Sequence, residues 1–200
     1  MREQGNLVVL NRHGAGPAPL PPHAINHRAN LRALADAGCA DVLALCSVGS
    51  LRADLPPGSL AICSDYVCLQ QGPATYHDTE LKGGAPGIAN SLAPRLVAEL
   101  APEFVFTPDQ VYVQMRGPRF ETKAEIRVIR HWGDVVGMTA AHEADLCTEL
   151  GLRYTLVCVV DNFANGLEGT AIDFAKFHEL VKSNQARVDR LCGRFVAMFG

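Results

Sequence analysis

The chain has 200 residues and a mass of 21.5 kDa, with 48% hydrophobic and 20% charged residues. That composition fits one globular domain over residues 1–200 and excludes a disordered chain, a collagen-like repeat and a small disulfide scaffold. A net charge of −3 leaves no basic field for nucleic acid or an anionic membrane. No apolar run reaches the roughly 18 to 20 residues of a membrane span. The opening stretch MREQGNLVVLNRHG lacks the pattern of a signal peptide, so a cytoplasmic protein is expected.

In chain order, Asn6–Leu10 reads as a strand and Ala24–Ala37 as a helix ending at Gly38. The near-continuous apolar run Asp41–Val48 suits a strand buried on both faces. Leu60–Leu69 is a strand after the turn signal Pro56–Pro57–Gly58, and residues 70–87 form a polar, glycine-rich loop. Ile88–Leu100 reads as a helix with Pro94 near its start. The second half alternates more clearly: strand Gln110–Met115, helix Glu121–Trp132, strand Asp134–Met138, helix Ala140–Leu150 and strand Tyr154–Val160. Ala171–Phe199 closes the chain as a helix with a broad apolar face. The alternation predicts an α/β fold with helices on both faces of a sheet.

The seven cysteines are scattered through apolar stretches, with no C-x-x-C pair and no zinc-type spacing, and are expected to be reduced, buried thiols. No metal is predicted.

Ligands in α/β sheets gather where strands end in loops. The candidate ends are Asn11–Arg12–His13–Gly14, Ser47–Val48–Gly49–Ser50, the run from Arg116 to Glu121, Met138–Thr139, and the run from Asp161 to Gly166. Arg and His beside Ser and Thr hydroxyls make an oxyanion site of the phosphate type. An aromatic ring with a carboxylate and an amide suits a flat heterocycle that stacks and has its edges read. The same residues admit plainer roles. Arg12 and His13 fit a surface ion pair, Glu121 a helix-dipole partner, Thr139 a helix N-cap, Met138 core, and Asp161 and Asn162 turn residues.

Taken together, NRHG, PPHAINHRANLRAL, CSVGSL, MRGPRFETKAE, VVGMTAAHEADL and VVDNFANG occur in the order seen in purine nucleoside phosphorylases. The chain resembles that family over about residues 6 to 199, and most closely its methylthioadenosine and methylthioinosine phosphorylase branch. The resemblance implies a three-layer sandwich with a mixed central β-sheet. It also implies phosphorolysis: a purine nucleoside and inorganic phosphate yield free base and a pentose 1-phosphate, with no cofactor.

By the same resemblance Arg12, His13, Ser47 and Thr139 contact phosphate, Phe120 packs on the base, and Glu121 reads the N1–H of a 6-oxopurine. Met138 lies under the ribose, and Asn162 or Asn165 meets O6. Asp161 contacts N7 of the leaving base and, with His13, is assigned to catalysis. As a donor Asp161 must be protonated. His178 is a conceivable partner for a 5′-hydroxyl, and a homo-oligomer, trimer or hexamer, is implied.

Two departures from the family pattern bear on this. Phe163 stands where adenosine-type members carry a second Asp, which favours hypoxanthine over adenine. The sequence opens after the family's first strand and its Gly-rich phosphate loop, and the loss of those donors is expected to weaken phosphate binding and leave a sheet edge. A nucleosidase using water, and a non-catalytic purine-binding homologue, are the alternative readings.

Overall fold

A computed structural model describes residues 2–14, 16, 18–69, 74–80, 82, 84–85, 87–167, 169 and 174–200, the side chains of 2–4 and 174–178 lying outside the description. The elements run β1 (Arg2–Gln4), β2 (Leu7–Val9), α1 (His27–Asp36), β3 (Asp41–Ser50), β4 (Leu60–Val67), α2 (Ala93–Leu100), β5 (Phe106–Gln114), α3 (Lys123–Ile129), β6 (Val135–Gly137), α4 (Ala140–Leu150), β7 (Arg153–Phe163) and α5 (Phe174–Phe199).

Local chemistry sets most of these boundaries. Asn26 caps α1, its side-chain oxygen accepting from the Ala29 amide at 3.0 Å. Pro94 sits in the first turn of α2, where its missing N–H costs nothing, so that helix starts later than the apolar pattern suggests. Thr122 and Glu125 form a reciprocal capping box that starts α3 at Lys123, two residues after Glu121. Gly151 ends α4 in a left-handed conformation, φ 69°.

The sheet is mixed, as expected, but it is not the open middle layer of a sandwich. Five strands close into a barrel in the order β3-β6-β5-β4-β7. Pairing is parallel for β3–β7, β4–β5 and β5–β6, and antiparallel for β3–β6 and β4–β7. Closure depends on the far end of β3, where Gly49 and Ser50 pair with Val136 and Val135. The strand expected at Asn6–Leu10 is confined to Leu7–Val9 and pairs only with β1 in a separate two-stranded ribbon. Beside it, β3 pairs with β6 only at its last two residues, so Asp41–Val48 keeps one edge without a strand among the described residues.

Side chains on β3 alternate between two cores. Ala44, Cys46 and Val48 pack with Leu31 of α1 and with Ala140, Ala144 and Cys147 of α4. Leu43 and Leu45 pack toward Leu96 and Leu100 of α2 and Leu191 and Phe195 of α5. On β7, Cys158 and Val160 join the first core and Val157 and Val159 the second. Cys46, Cys63, Cys147 and Cys158 are buried free thiols, Cys39 and Cys68 are half-buried, and Cys192 is exposed, contrary to the expectation that all would be buried. No helix among the described residues is long and apolar enough to cross a membrane.

Candidate active site

The last residues of β3, the loops following β5 and β6, the end of β7 and the segment after β2 converge on a cavity of about 230 Å³. Arg12, His13, Ser47 and Thr139 line it, together with Phe120, Glu121, Met138 and Asn162. Two of the residues expected there do not line it. Asp161 is buried, but its carboxylate is engaged by the Ser47 hydroxyl and by Asn184 Nδ2 of α5, the latter at 2.8 Å. Asn165 donates its side-chain amide to the Glu121 carbonyl at 2.9 Å, holding the loop that carries Glu121. The side chain of His178 lies outside the described residues.

Asp161 and Asn162 lie on opposite faces of β7, where its pairing with β3 is irregular. Val48 pairs with Val160, and then Gly49 pairs with Asn162, so Asp161 is an extra, unmatched residue in β7. Its side chain follows Val157 and Val159 toward α5, whereas Asn162 follows Cys158 and Val160 into the cavity. Gly49 makes room there: a Cβ at that position would meet Val136 Cγ1 at 3.2 Å and Asn162 Nδ2 at 3.5 Å.

Thr139 occupies the N-cap position of α4 without capping it. The Tyr112 hydroxyl does so instead, accepting from the Thr139 amide at 3.1 Å and the Ala140 amide at 3.4 Å. Gln114 completes the job, accepting from the Ala141 amide and donating to the Met138 carbonyl, both at 3.0 Å. Thr139 Oγ1 is thereby left near Cys46 Sγ, at 3.7 Å, on the cavity wall.

Arg12 is held from below by Glu143 of α4, Nε to Oε1 at 2.7 Å. Burial alone would push the Glu143 carboxyl upward, but Arg12 overrides it and holds the group below the usual carboxylate range. His13 Nδ1 lies 2.8 Å from the Leu20 carbonyl, so that nitrogen carries the hydrogen. Its Nε2 is then an acceptor in the neutral ring and a donor in the imidazolium.

Glu121, also on the cavity lining, is buried at 6% exposure, and burial pushes its carboxyl above the usual range. Arg119 clasps Glu125 at 2.8 and 2.9 Å, tying the segment that presents Phe120 to the first turn of α3. Gly117, at φ 59°, gives that segment its turn, and Met138 Sδ fills the space beside it.

Sequence reasoning missed Tyr112, Gln114, Glu143, Tyr154 and Asn184. One signal was present for Glu143: it lies on the α4 stripe of Ala140, Ala144 and Cys147, where a buried carboxylate requires a cation. The others are strand or helix residues whose reach across the fold has no local signature.

A family model described as the phosphorylase superfamily matches residues 2–197. The chain belongs to that superfamily. Among curated relatives, a "Probable 6-oxopurine nucleoside phosphorylase" of Archaeoglobus fulgidus is 41% identical over 181 residues, covering 90% of this chain and 74% of the relative. A "Probable S-methyl-5'-thioinosine phosphorylase" of Methanocaldococcus jannaschii is 34% identical over 199 residues, covering 97% and 78%. Among solved structures, methylthioadenosine phosphorylase from Schistosoma mansoni in complex with adenine superposes with a TM-score of 0.76 at 24% identity, covering 94% of this chain and 74% of that one. The last likeness establishes the shared phosphorylase fold.

Proposed function

We propose that this phosphorylase-superfamily protein cleaves 6-oxopurine nucleosides, of the inosine or methylthioinosine type, with inorganic phosphate as co-substrate and no cofactor. One observation supports the reading: the candidate anion-binding and base-reading groups line a single cavity together with Met138. Arg12, His13, Ser47 and Thr139 hold phosphate at one end, and Phe120, Glu121 and Asn162 hold the purine at the other. The relatives named for 6-oxopurine nucleosides and methylthioinosine support the substrate class.

Breaking the glycosidic bond leaves positive charge on the sugar and negative charge on the departing base. Phosphate held under the sugar stabilises the first and then attacks the anomeric carbon. A donor at N7 stabilises the second, as an oxyanion hole does. In this reading the N7 donor is the Asn162 amide rather than Asp161. Asn162 lines the cavity; its Nδ2 gives one hydrogen to the Phe163 carbonyl at 2.7 Å and keeps a second for N7 at any pH, whereas Asp161 is turned toward Ser47 and Asn184. Asp161 then acts on Ser47, from behind the site. Glu121, as the carboxylate, accepts from N1–H of hypoxanthine, a hydrogen that adenine lacks. The resemblance adds a cytoplasmic homo-oligomer, trimer or hexamer.

The test is release of free base from inosine, methylthioinosine, adenosine and methylthioadenosine, with and without phosphate. Phosphate-dependent release from the 6-oxo substrates is expected. Release without phosphate points to a nucleosidase, and no release with intact purine binding points to a non-catalytic homologue.

A further inference from the structure

Arg12 enters the anion end of the cavity with few donors to spare. Its Nε meets Glu143 Oε1 at 2.7 Å and Nη2 donates to Oε2 at 3.1 Å. Nη1 donates to the Leu45 carbonyl at 3.1 Å and to Cys46 Sγ at 3.2 Å. A guanidinium has five N–H donors, so a single Nη2 hydrogen remains for an anion. The fork is therefore seated before any ligand arrives.

Glu143 is itself fixed. Its side chain is 6% exposed, and the Tyr154 hydroxyl donates to Oε2 at 2.8 Å. His27 Nδ1 stands 3.6 Å from Oε1, in a ring 8% exposed whose two nitrogens have no hydrogen-bond partner. Behind it lies the His142 ring, 5.7 Å away between centroids. The carboxylate thus sits among Arg12, Tyr154 and His27.

We propose that Glu143 is the positioning residue of the anion site, aiming the one free N–H of Arg12 at phosphate while Tyr154 steadies the carboxylate. The inference rests on the phosphorolytic reading of the cavity. A preset donor spares phosphate the cost of ordering a long side chain, and its value depends on placement to within a fraction of an ångström. The same seating excludes a bidentate grip by Arg12, because Glu143 already takes the Nε and one Nη2 hydrogen.

The experiment is steady-state kinetics with phosphate and inosine varied in turn, on the wild type and on Glu143→Gln, Glu143→Asp and Tyr154→Phe, each checked for folding by circular dichroism. Glu143→Asp keeps the charge but is one methylene shorter, which separates geometry from charge. The expected rise in the phosphate KM is about 30-fold for Glu143→Gln, about 10-fold for Glu143→Asp and about 3-fold for Tyr154→Phe. The inosine KM should stay within about twofold, a split that a merely structural role does not produce. If Glu143→Gln does not fold, the other two variants carry the test. An unchanged phosphate KM in both of those, or an equal rise in both KM values, overturns the positioning role. Absence of any phosphate-dependent turnover in the wild type overturns the phosphorolytic reading itself, and the inference with it.

Discussion

Asp161 and Asn162 are neighbours in β7 whose side chains serve different compartments: the Asp161 carboxylate is held by Ser47 and Asn184, and Asn162 lines the cavity with Phe120 and Glu121, its Nδ2 donating to the Phe163 carbonyl at 2.7 Å. If Asn162 is the N7 donor, Asn162→Ala should lower kcat by about 100-fold, the usual loss for one oxyanion-hole donor. Asp161→Asn should act mainly through Ser47, raising the phosphate KM more than it lowers kcat. Kinetics on inosine with phosphate distinguish the two, and the reverse ranking would return the N7 role to Asp161.

Tyr112 anchors the backbone that carries Thr139, and that anchor can be removed with one oxygen. Tyr112→Phe leaves the buried amides of Thr139 and Ala140 without their acceptor, at a cost of about 1–3 kcal/mol. The backbone at Thr139 loses its anchor and shifts, carrying the hydroxyl from its place at the anion end. Urea denaturation should report the lost stability and the phosphate KM should rise, with the inosine KM little changed.

Glu121 trades stability for recognition. Burial raises its carboxyl pKa in the folded state above the unfolded value. The stabilisation linked to its proton is therefore present below the unfolded pKa and lost as pH rises through the folded one, leaving a penalty at neutral pH. Glu121→Gln should raise Tm by a few degrees at neutral pH, with the advantage shrinking toward about pH 4. Affinity for hypoxanthine should fall at the same time, read by calorimetry. A variant that keeps its hypoxanthine affinity would count against Glu121 as the N1–H acceptor.

His142 sets an acid limit on the fold. Burial lowers its pKa, with His27 adding to the effect, so the folded protein binds this proton less readily than the unfolded chain. Its contribution is complete above the ordinary histidine value of about 6.5 and is lost as pH falls below it. Thermal denaturation at steps from about pH 8 to pH 5 should show a decline that is shallower in His142→Gln. Parallel curves would remove His142 as the cause.

Much of this molecule was determined by its sequence alone. Ala140–Leu150 is a helix at the bounds its periodicity predicts, and β3, β4 and β7 fall where apolar runs place them, because burial periodicity is a local property. The candidate residues at or near strand ends include Arg12, His13, Ser47, Phe120, Glu121, Met138, Thr139 and Asn162, and all eight line one cavity. Period-two alternation in β7 already implies that Asp161 and Asn162 point opposite ways.

Which of the two faces the cavity was decided only by the tertiary structure, since that depends on which helices cover each side of the sheet and on the mismatch opposite Gly49. Closure of the sheet into a barrel rests on two residue pairs between β3 and β6, Gly49 with Val136 and Ser50 with Val135, 87 and 85 positions apart, and no local pattern encodes such a pairing. The partners Tyr112–Thr139 and Arg12–Glu143 are likewise joined through space, by a hydroxyl and a carboxylate that reach across elements. A side chain's propensity is written in its own stretch of chain, but its hydrogen-bond partner is chosen by packing.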